Sequence, residues 1–405
     1  MCVQAPQQHA PSPMQPDLEK DKDMKEFGKD LIDMQELVFS PLDDHAFKKK
    51  HPNLMTVFCH FKPVLKPTEF GFSAYELGSG TFGTTVIAGR GLESSTAIIL
   101  AVKFLKPQCG TNINDRAMFR FEAKVLRRLT QEQQKVQKVY VPPFEGYGFC
   151  SVGEPDEERL TPFLAMQLQV TTARQVTKGA QTQLAAGAHA RQLPSWKTLL
   201  TVALQVARAL DWLHRQQHIL HGDFKSSNLW SNGRGEAGLL DLGMCQELKR
   251  REGGDQPAQP TASVRHRKPP AKYWIAPECT VKPNGNGKHV SVAASFDWWG
   301  FGCWLVQHFY LEGIHNKDHH SIRDLEQQVW PAIRTSHMHL QLALIHGSTA
   351  QEVLSLVQLL LSRQPECRPT GEQVVKQLTR ARNMVFKQKK TSAKRSTKRK
   401  HSDTA

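Results

Sequence analysis

The residues His221-Gly222-Asp223-Phe224-Lys225-Ser226-Ser227-Asn228 are followed, thirteen positions after the asparagine, by Asp241-Leu242-Gly243. An aspartate with an asparagine five positions further on can hold a phosphoacceptor hydroxyl and a magnesium ion at the same time. A second aspartate that follows a short hairpin can bind the metal that bridges the phosphates of ATP. The order and separation of the two fragments therefore favour phosphoryl transfer.

The bulk composition is that of a soluble globular protein with room for two or three compact units. Of the 405 residues, 39% are hydrophobic and 22% are charged. No apolar run reaches the ~18 residues of a membrane helix, and the polar, proline-rich N-terminus lacks the apolar core of a signal peptide. Eight cysteines are scattered without a Cys-x-x-Cys pair. We therefore expect no membrane association, no secretion, and free thiols in a reducing compartment.

The net charge of +15 is concentrated near the C-terminus, where residues Lys387–His401 contain eight lysines and arginines and no acidic residue. The plain structural interpretation is a solvated, disordered tail. Two basic clusters separated by small polar residues also fit a nuclear-import signal. We therefore expect a nuclear-import receptor as a partner and a nuclear as well as cytoplasmic location. Direct nucleic-acid binding is the weaker alternative, because no aromatic residue interleaves the charges.

The hydrophobic pattern divides the rest of the chain into three parts. Residues 1–66 resemble a partly disordered N-terminal extension, in which Asp17–Leu37 could form a charged amphipathic helix. From Gly71 onwards, short β-prone runs with one helix at Asn114–Leu129 predict a small sheet domain. The apolar stripes of the second half, such as Ser195–Gln216, predict a mostly helical domain.

The run Leu77-Gly78-Ser79-Gly80-Thr81-Phe82-Gly83 falls between two predicted strands. Glycines there let backbone amides approach phosphate oxygens, although alone the motif could be an ordinary glycine-rich hairpin. Lys103 ends the next apolar strand and could reach phosphates, although alone it could be a strand-end lysine reaching solvent. Glu122 lies on the apolar side of the following helix, so it needs a cation, and Lys103 is the natural candidate.

Taken in order, these motifs make the sequence from about Gly71 to Met384 resemble a eukaryotic-type serine/threonine protein kinase. The matching elements are the glycine-rich loop (Gly78, Gly80, Gly83), the strand lysine Lys103, its helix partner Glu122, the catalytic loop with Asp223 and Asn228, the DFG position at Asp241, the APE motif at Ala276–Glu278, the Asp297–Gly302 helix, and Arg368 as the partner of Glu278. The resemblance implies an α+β, bilobal kinase fold. A small β-rich lobe would span about 67–169 and a larger helical lobe about 190–385, followed by a basic disordered tail at 386–405.

The resemblance also implies roles for individual residues. Asp223 would orient the attacking hydroxyl, and Lys225 would neutralise charge on the moving γ-phosphoryl group. Asn228 and Asp241 would hold two Mg²⁺ ions, so the implied cofactors are ATP and Mg²⁺. The nucleotide would contact the glycine-rich loop through Leu77, Gly78, Gly80 and Gly83. It would also contact Lys103, the gatekeeper Met166, and the hinge at Gln167–Gln169 through Leu168. The position of Lys225, two residues after Asp223, resembles the serine/threonine branch, so the expected substrates are protein serines and threonines.

Four positions depart from the family pattern. Gly222 stands where most members have an arginine that binds a phosphorylated activation loop, which suggests activity without that switch. Thr85 and Trp230 occupy the slots above and below the adenine where aliphatic residues are usual, and Ala271 replaces a threonine. The segment between Asp241 and Glu278 is long and basic, which predicts either a solvated insertion or a preference for acidic or phosphorylated substrates.

Other interpretations remain open at the level of sequence. The catalytic loop locally resembles the vaccinia-related and casein-kinase-like branch, whereas the Asp-Leu-Gly and Ala-Pro-Glu motifs do not, so a divergent viral or protist kinase fits as well. The altered nucleotide slots allow a pseudokinase that acts as a binding scaffold. A small-molecule phosphotransferase of the aminoglycoside or choline type shares His-Gly-Asp with a later asparagine, but that class lacks the Ala-Pro-Glu segment.

Overall fold

The computed structural model describes residues 16–39, 49, 65–92, 97–110, 112–152, 159–169, 196–232, 235–249, 261–265, 274–280, 289–309 and 348–385. They belong to two compact units, the first formed by residues 1–131 and 142–168 and the second by 132–141 and 169–405. The basic tail at Lys387–His401 and the substituted position Ala271 lie outside the described residues. Within the described ranges, no helix is both long and apolar enough to cross a membrane.

The first unit is built on a seven-stranded sheet. Its strands are β1 (Leu37–Val38), β2 (Leu65–Pro67), β3 (Ser73–Ser79), β4 (Gly83–Arg90), β5 (Ile98–Leu105), β6 (Phe144–Val152) and β7 (Arg159–Gln167). The main order is β2-β3-β4-β5-β7-β6, and β1 pairs with the end of β4. Alternate residues such as Val102 and Phe104 are fully buried, as expected for strands with one face in the core. The predicted sheet of short strands is confirmed, although the strand expected from Val139 begins only at Phe144, and the N-terminal extension adds β1 and β2.

The helices among the described residues of this part of the chain are α1 (Pro16–Phe27), α2 (Pro107–Gly110) and α3 (Ile113–Val136). Helix α3 runs further than the predicted Asn114–Leu129, and Gln133 near its end binds the chain that follows. The buried Gln133 amide donates to the carbonyl of Val141 at 3.0 Å and accepts from the backbone N–H of Tyr140 at 2.9 Å. The β-prone residues from Val139 therefore form a loop bound to the helix, and β6 begins only at Phe144.

The second unit is mostly helical, with α4 (Trp196–Arg215), α5 (Ser295–Phe309), α6 (Ser348–Leu360) and α7 (371–385). Three short antiparallel strand pairs accompany them: β8 (Ile219–Leu220) with β11 (Gln246–Glu247), β9 (Leu229–Ser231) with β10 (Ala237–Leu239), and β12 (Thr261–Arg265) with β13 (His289–Ala293). In α5, Trp298, Trp299 and Phe301 are buried, as its almost wholly apolar and aromatic sequence predicts. A sheet unit and a helical unit together make the fold α+β.

Candidate active site

The glycine-rich turn joins β3 to β4, and the N–H of Gly80 donates to the carbonyl of Gly83 at 2.9 Å. A Cβ atom at Gly83 would lie 2.7 Å from the carbonyl oxygen of Phe104 and 3.5 Å from the side chain of Lys103. Residue 83 must therefore lack a side chain for β4 to lie this close to β5. At Gly78 and Gly80 a Cβ would meet nothing closer than 3.9 Å, so the backbone there is open to a ligand.

The predicted ion pair between Lys103 and Glu122 is formed. The Nζ atom of Lys103 donates to both carboxylate oxygens of Glu122, at 2.8 and 2.9 Å. The side chain of Glu122 is only 3% exposed and that of Lys103 14% exposed. Because a buried carboxylate is stable only when paired, this contact fixes the ammonium group of Lys103 between β5 and α3. Thr85 lies directly opposite Lys103 in the neighbouring strand.

The predicted hinge continues from β7, in which the gatekeeper candidate Met166 is largely buried. The N–H of Gln167 donates to the carbonyl of Pro143 at 2.9 Å, and that of Leu168 donates to the carbonyl of Ile99 at 3.0 Å. These two hinge donors are therefore engaged within the sheet unit, so an adenine would use other backbone groups of residues 167–169. The Leu168 side chain packs in the same small cluster as Leu77.

In the second unit, the catalytic-loop candidates Asp223, Lys225 and Asn228 are brought together. The ammonium of Lys225 donates to Oδ2 of Asp223 at 2.5 Å. The side-chain amide of Asn228 donates to the backbone carbonyl of Asp223 at 2.9 Å and to its Oδ2 at 3.1 Å. The carboxylate of Asp223 is thus oriented by two donors of its own loop, one of them a cation.

The backbone of this loop is fixed by Asp297 from α5, a contact that the sequence motif alone did not reveal. The buried Asp297 carboxylate accepts hydrogen bonds from the backbone N–H groups of His221 at 2.7 Å and Gly222 at 3.0 Å, and from Nε2 of His214 at 2.8 Å. Burial alone would raise its pKa, but the hydrogen bond and charge of His214, with help from His221, hold the pKa of Asp297 below its ordinary value. Asp297 therefore stays ionised and anchors the two residues that precede Asp223.

The histidines near the loop have structural partners. His214 is bound to Asp297, and the fully buried His221 makes a 3.0 Å hydrogen bond through Nε2 with the carbonyl of Leu240. Both imidazole rings are therefore held by contacts within the fold.

Asp241 lies in a left-handed backbone conformation with φ of +56°, which aspartate tolerates better than most residues. Its carboxylate is exposed and accepts from the N–H of Gly243 at 3.3 Å. The Oδ1 atom of Asn228 accepts from the hydroxyl of Ser227 at 3.3 Å. Carboxylate and amide oxygens are ligands that suit Mg²⁺. In the described part of the chain, no cluster of three or more His, Cys, Asp or Glu side chains could hold a metal.

The segment after Asp241 is held by backbone pairing at several points. Strand β11 pairs with β8, next to the catalytic loop. Lys249 and Thr261 exchange two backbone hydrogen bonds of 2.9 Å. Strand β12 then pairs along five residues with β13, which directly precedes α5. Strands β11 and β12 of this activation segment are therefore ordered by backbone pairing.

The predicted pair between Glu278 and Arg368 is confirmed. Both guanidinium Nη atoms of Arg368 contact the two carboxylate oxygens of Glu278 at 2.7 Å, a bidentate geometry. Arg368 also donates to the carbonyl of Ser295 at 2.9 Å and lies 5.1 Å from the ring centre of Trp299. This fully buried side chain ties the end of the activation segment to α5.

Trp230, which replaces a smaller residue of the family pattern, is accommodated by Gly238 on the paired strand. A Cβ atom at Gly238 would lie 2.6 Å from Nε1 of the indole and 2.2 Å from the carbonyl oxygen of Tyr140. The large side chain at 230 and the absent side chain at 238 therefore compensate each other, and Trp230 is buried. In the sequence, Gly238 is visible as a position without a side chain. That it lies opposite Trp230 is known only from the strand register.

The comparisons agree with this geometry. The family model of the protein kinase domain matches residues 73–378. Similar proteins include a mitogen-activated protein kinase kinase kinase of Pyricularia oryzae, 23% identical over 60% of this chain and 14% of its own length. The salt tolerance receptor-like cytoplasmic kinase 1 of rice is 29% identical over 43% of this chain and 42% of its own length. The mouse serine/threonine-protein kinase Nek4 is 28% identical over 43% of this chain and 18% of its own length. The chain thus spans less than half the length of each of these relatives.

Proposed function

Because this chain belongs to the protein kinase family, we propose that it is an active serine/threonine kinase that transfers the γ-phosphate of ATP to protein hydroxyl groups. The observation that carries the proposal is the position of Asp223. Its carboxylate is held by Lys225 and Asn228, while Asp297 fixes the backbone just before it. Three residues, Lys225 and Asn228 of the same loop and Asp297 of α5, thus maintain one candidate catalytic carboxylate.

The chemistry of each group follows from its surroundings. Asp223 would accept a hydrogen bond from the substrate hydroxyl and orient its oxygen towards the phosphorus atom. Lys225 would offset negative charge on the transferred group. Lys103, fixed by Glu122, would bind the α- and β-phosphates of the nucleotide. Mg²⁺, when bound through Asn228 and Asp241, would supply charge neutralisation of the phosphates.

The proposal is tested by transfer of radiolabelled phosphate from ATP to casein and to histone, followed by phosphoamino-acid analysis. We expect label on serine or threonine. Asp241→Asn keeps the size of the side chain but removes its charge, and should lower the rate about a hundredfold or more. Glu247→Gln is the matched control, because Glu247 is an exposed carboxylate of the same unit that lies outside the candidate site.

The alternative function is a pseudokinase scaffold, which the substitutions Thr85 and Trp230 at the adenine slots favour. A folded wild-type protein that neither transfers phosphate nor binds Mg-ATP would support the scaffold and contradict the kinase. Because Gly238 accommodates the indole of Trp230, we expect nucleotide binding to be retained. A fluorescence titration with Mg-ATP measures this directly.

For location we propose the nucleus, on the basis of the basic clusters in Lys387–His401. A fluorescent fusion of the full chain should concentrate in nuclei. Replacement of the eight basic residues by glutamine should leave it cytoplasmic. If both proteins show the same distribution, the basic clusters are not the import signal. A salt-dependent shift of duplex DNA by the wild-type chain alone would favour nucleic-acid binding instead.

The basic activation segment suggests acidic protein substrates. A higher rate on casein than on histone would agree with this preference, and the reverse order would contradict it.

A further inference from the structure

Part of the chain N-terminal to the family match, residues 16–39, packs against α3 and the sheet of the first unit. We call residues 16–39, which comprise α1, two 3₁₀ turns and β1, the N-terminal segment. Within it, Asp23 is buried, and its carboxylate binds the guanidinium of Arg120 in α3 and accepts from the Tyr147 hydroxyl of β6 at 3.0 Å. One buried carboxylate thus connects the helix that carries Glu122 to the sheet.

A row of opposite charges continues this contact. Glu26 lies 2.5 Å from the ammonium of Lys124, and Asp30 lies 2.5 Å from the guanidinium of Arg127. Arg127 also donates to the backbone carbonyl of Glu26 at 3.0 Å. Together with the Asp23–Arg120 pair, three acidic residues of the N-terminal segment contact three basic residues of α3. The pairs follow the same order along the segment and along the helix. The basic residues are spaced by four and three positions, so they form one stripe on the helix.

The N-terminal segment packs against β6 through an aromatic stack, a backbone hydrogen bond and close contacts at two glycines. The fully buried ring of Phe27 stacks on that of Tyr147, with centres 4.3 Å apart and planes within 10°. The N–H of Ile32 donates to the carbonyl of Tyr147 at 2.8 Å. A Cβ atom at Gly146 would lie 2.3 Å from the Ile32 side chain, and one at Gly148 would lie 2.4 Å from its carbonyl oxygen. The two glycines therefore form a notch that the segment fills.

The far end of the segment is fixed to a different strand. Leu37 and Val38 pair with Arg90 and Gly89 at the end of β4. Glu36 accepts from Nε of Arg90 at 2.9 Å and from its Nη2 at 2.6 Å. The segment is therefore attached to α3 and β6 through residues 23–32 and, separately, to β4 through residues 36–38.

Glu122 points away from this contact. It is two residues from Arg120, which places it about 200° further round the helix, where it meets Lys103 of β5. Contacts on one face of α3 thus determine how far the other face reaches towards β5. A shift of α3 by more than about 1 Å would break two hydrogen bonds that are now 2.8 and 2.9 Å long.

We propose that the N-terminal segment is a built-in positioning element for Glu122, with Asp23 as its central positioning residue. It sets α3 so that the Lys103–Glu122 pair forms within the chain, without a separate protein bound to α3. The proposal deepens the proposed kinase function and rests on it only for its effect on the reaction rate.

The test uses the full-length chain and the isosteric variant Asp23→Asn. Hydrogen–deuterium exchange of residues 113–136, measured without nucleotide, reports the fixation of α3 independently of activity. We expect faster exchange there, together with a tenfold or greater fall in kcat/KM for ATP, on the order expected for misplaced catalytic groups. Because Lys103 binds the nucleotide, KM for ATP should rise as well as kcat fall.

Glu36→Gln is the matched control, because it removes an ion pair of the same segment that reaches β4 rather than α3. Exchange in α3 and kcat/KM should stay at the wild-type values in this variant. An equal effect of both variants, or unchanged exchange in Asp23→Asn, overturns the proposal. If Asp23→Asn does not fold, the double variant Glu26→Gln/Asp30→Asn replaces it, with the same direction of change required. If the wild type transfers no phosphate, the kinase proposal fails, while the exchange measurement still decides the role of the segment.

Discussion

Gly222 lies against Met244 so closely that no side chain fits at residue 222. A Cβ atom there would be 2.3 Å from the carbonyl oxygen of Met244. Gly222 also has a φ of +78°, in the left-handed region that favours glycine. Most kinases have an arginine at this position, and that arginine binds a phosphorylated activation loop. In this chain Met244, near the start of the activation segment, occupies the space beside residue 222. The activation segment then forms strands β11 and β12, which pair with β8 and β13.

Gly222→Ala should therefore destabilise the protein through backbone strain and the clash with Met244. We expect the free energy of unfolding to fall by about 1–3 kcal/mol, as measured by urea denaturation. Gly78→Ala is the stability control, since a Cβ at Gly78 meets nothing within 4 Å. Its free energy of unfolding should stay within about 0.5 kcal/mol of wild type. Equal stability of Gly222→Ala and the control would show that the loop can shift away from Met244.

The pH dependence of stability should reveal the ionised, buried Asp297. Its folded-state pKa is below the ordinary value, so its charge stabilises the fold above about pH 4, and this stabilisation is lost as pH falls through the lowered pKa. The difference in unfolding free energy between wild type and Asp297→Asn should be largest near pH 7 and shrink below about pH 4. A difference that is constant with pH would mean that the hydrogen bonds, and not the charge, hold the loop.

Arg368→Gln should strongly destabilise the second unit. The side chain of Arg368 is fully buried and pairs with Glu278 through two hydrogen bonds, so its removal leaves an uncompensated carboxylate at a cost of about 3–5 kcal/mol. Arg380→Gln is the control, because Arg380 is 58% exposed and lies 3.7 Å from Glu352. That change should cost less than about 1 kcal/mol. Similar midpoints of urea unfolding for the two variants would contradict the structural role of the Glu278–Arg368 pair.

The cysteines should differ in reactivity according to burial. Burial raises the pKa of Cys150 to about 11, and only the thiolate reacts quickly. Cys367 is exposed. Brief alkylation of the native protein near pH 8, followed by peptide mass spectrometry, should label Cys367 well before Cys150. Equal labelling of both residues would mean that β6 opens on the timescale of the reaction.

The sequence predicted those parts of the site that depend on local spacing. Asp223 and Asn228 are five residues apart in one loop, so their contact follows from the motif. The Lys103–Glu122 pair was inferred because a buried carboxylate needs a cation, whereas the Glu278–Arg368 pair was inferred from the resemblance to the kinase family. The anchoring of His221 and Gly222 by Asp297 spans 76 and 75 residues, and the pairing of β12 with β13 depends on strand register. Neither leaves a local pattern, since each depends on how distant elements pack.

The packing of the N-terminal segment also changes where a usable recombinant fragment of this protein should begin. A fragment cut at residue 73, where the family match starts, would lose the buried residues Phe27, Ile32 and Leu37. It would expose the ring of Tyr147 and the glycine notch beside it, and uncovered apolar surface of this kind promotes self-association. Expression of fragments starting at residue 16 should therefore yield more monomeric material than expression from residue 73.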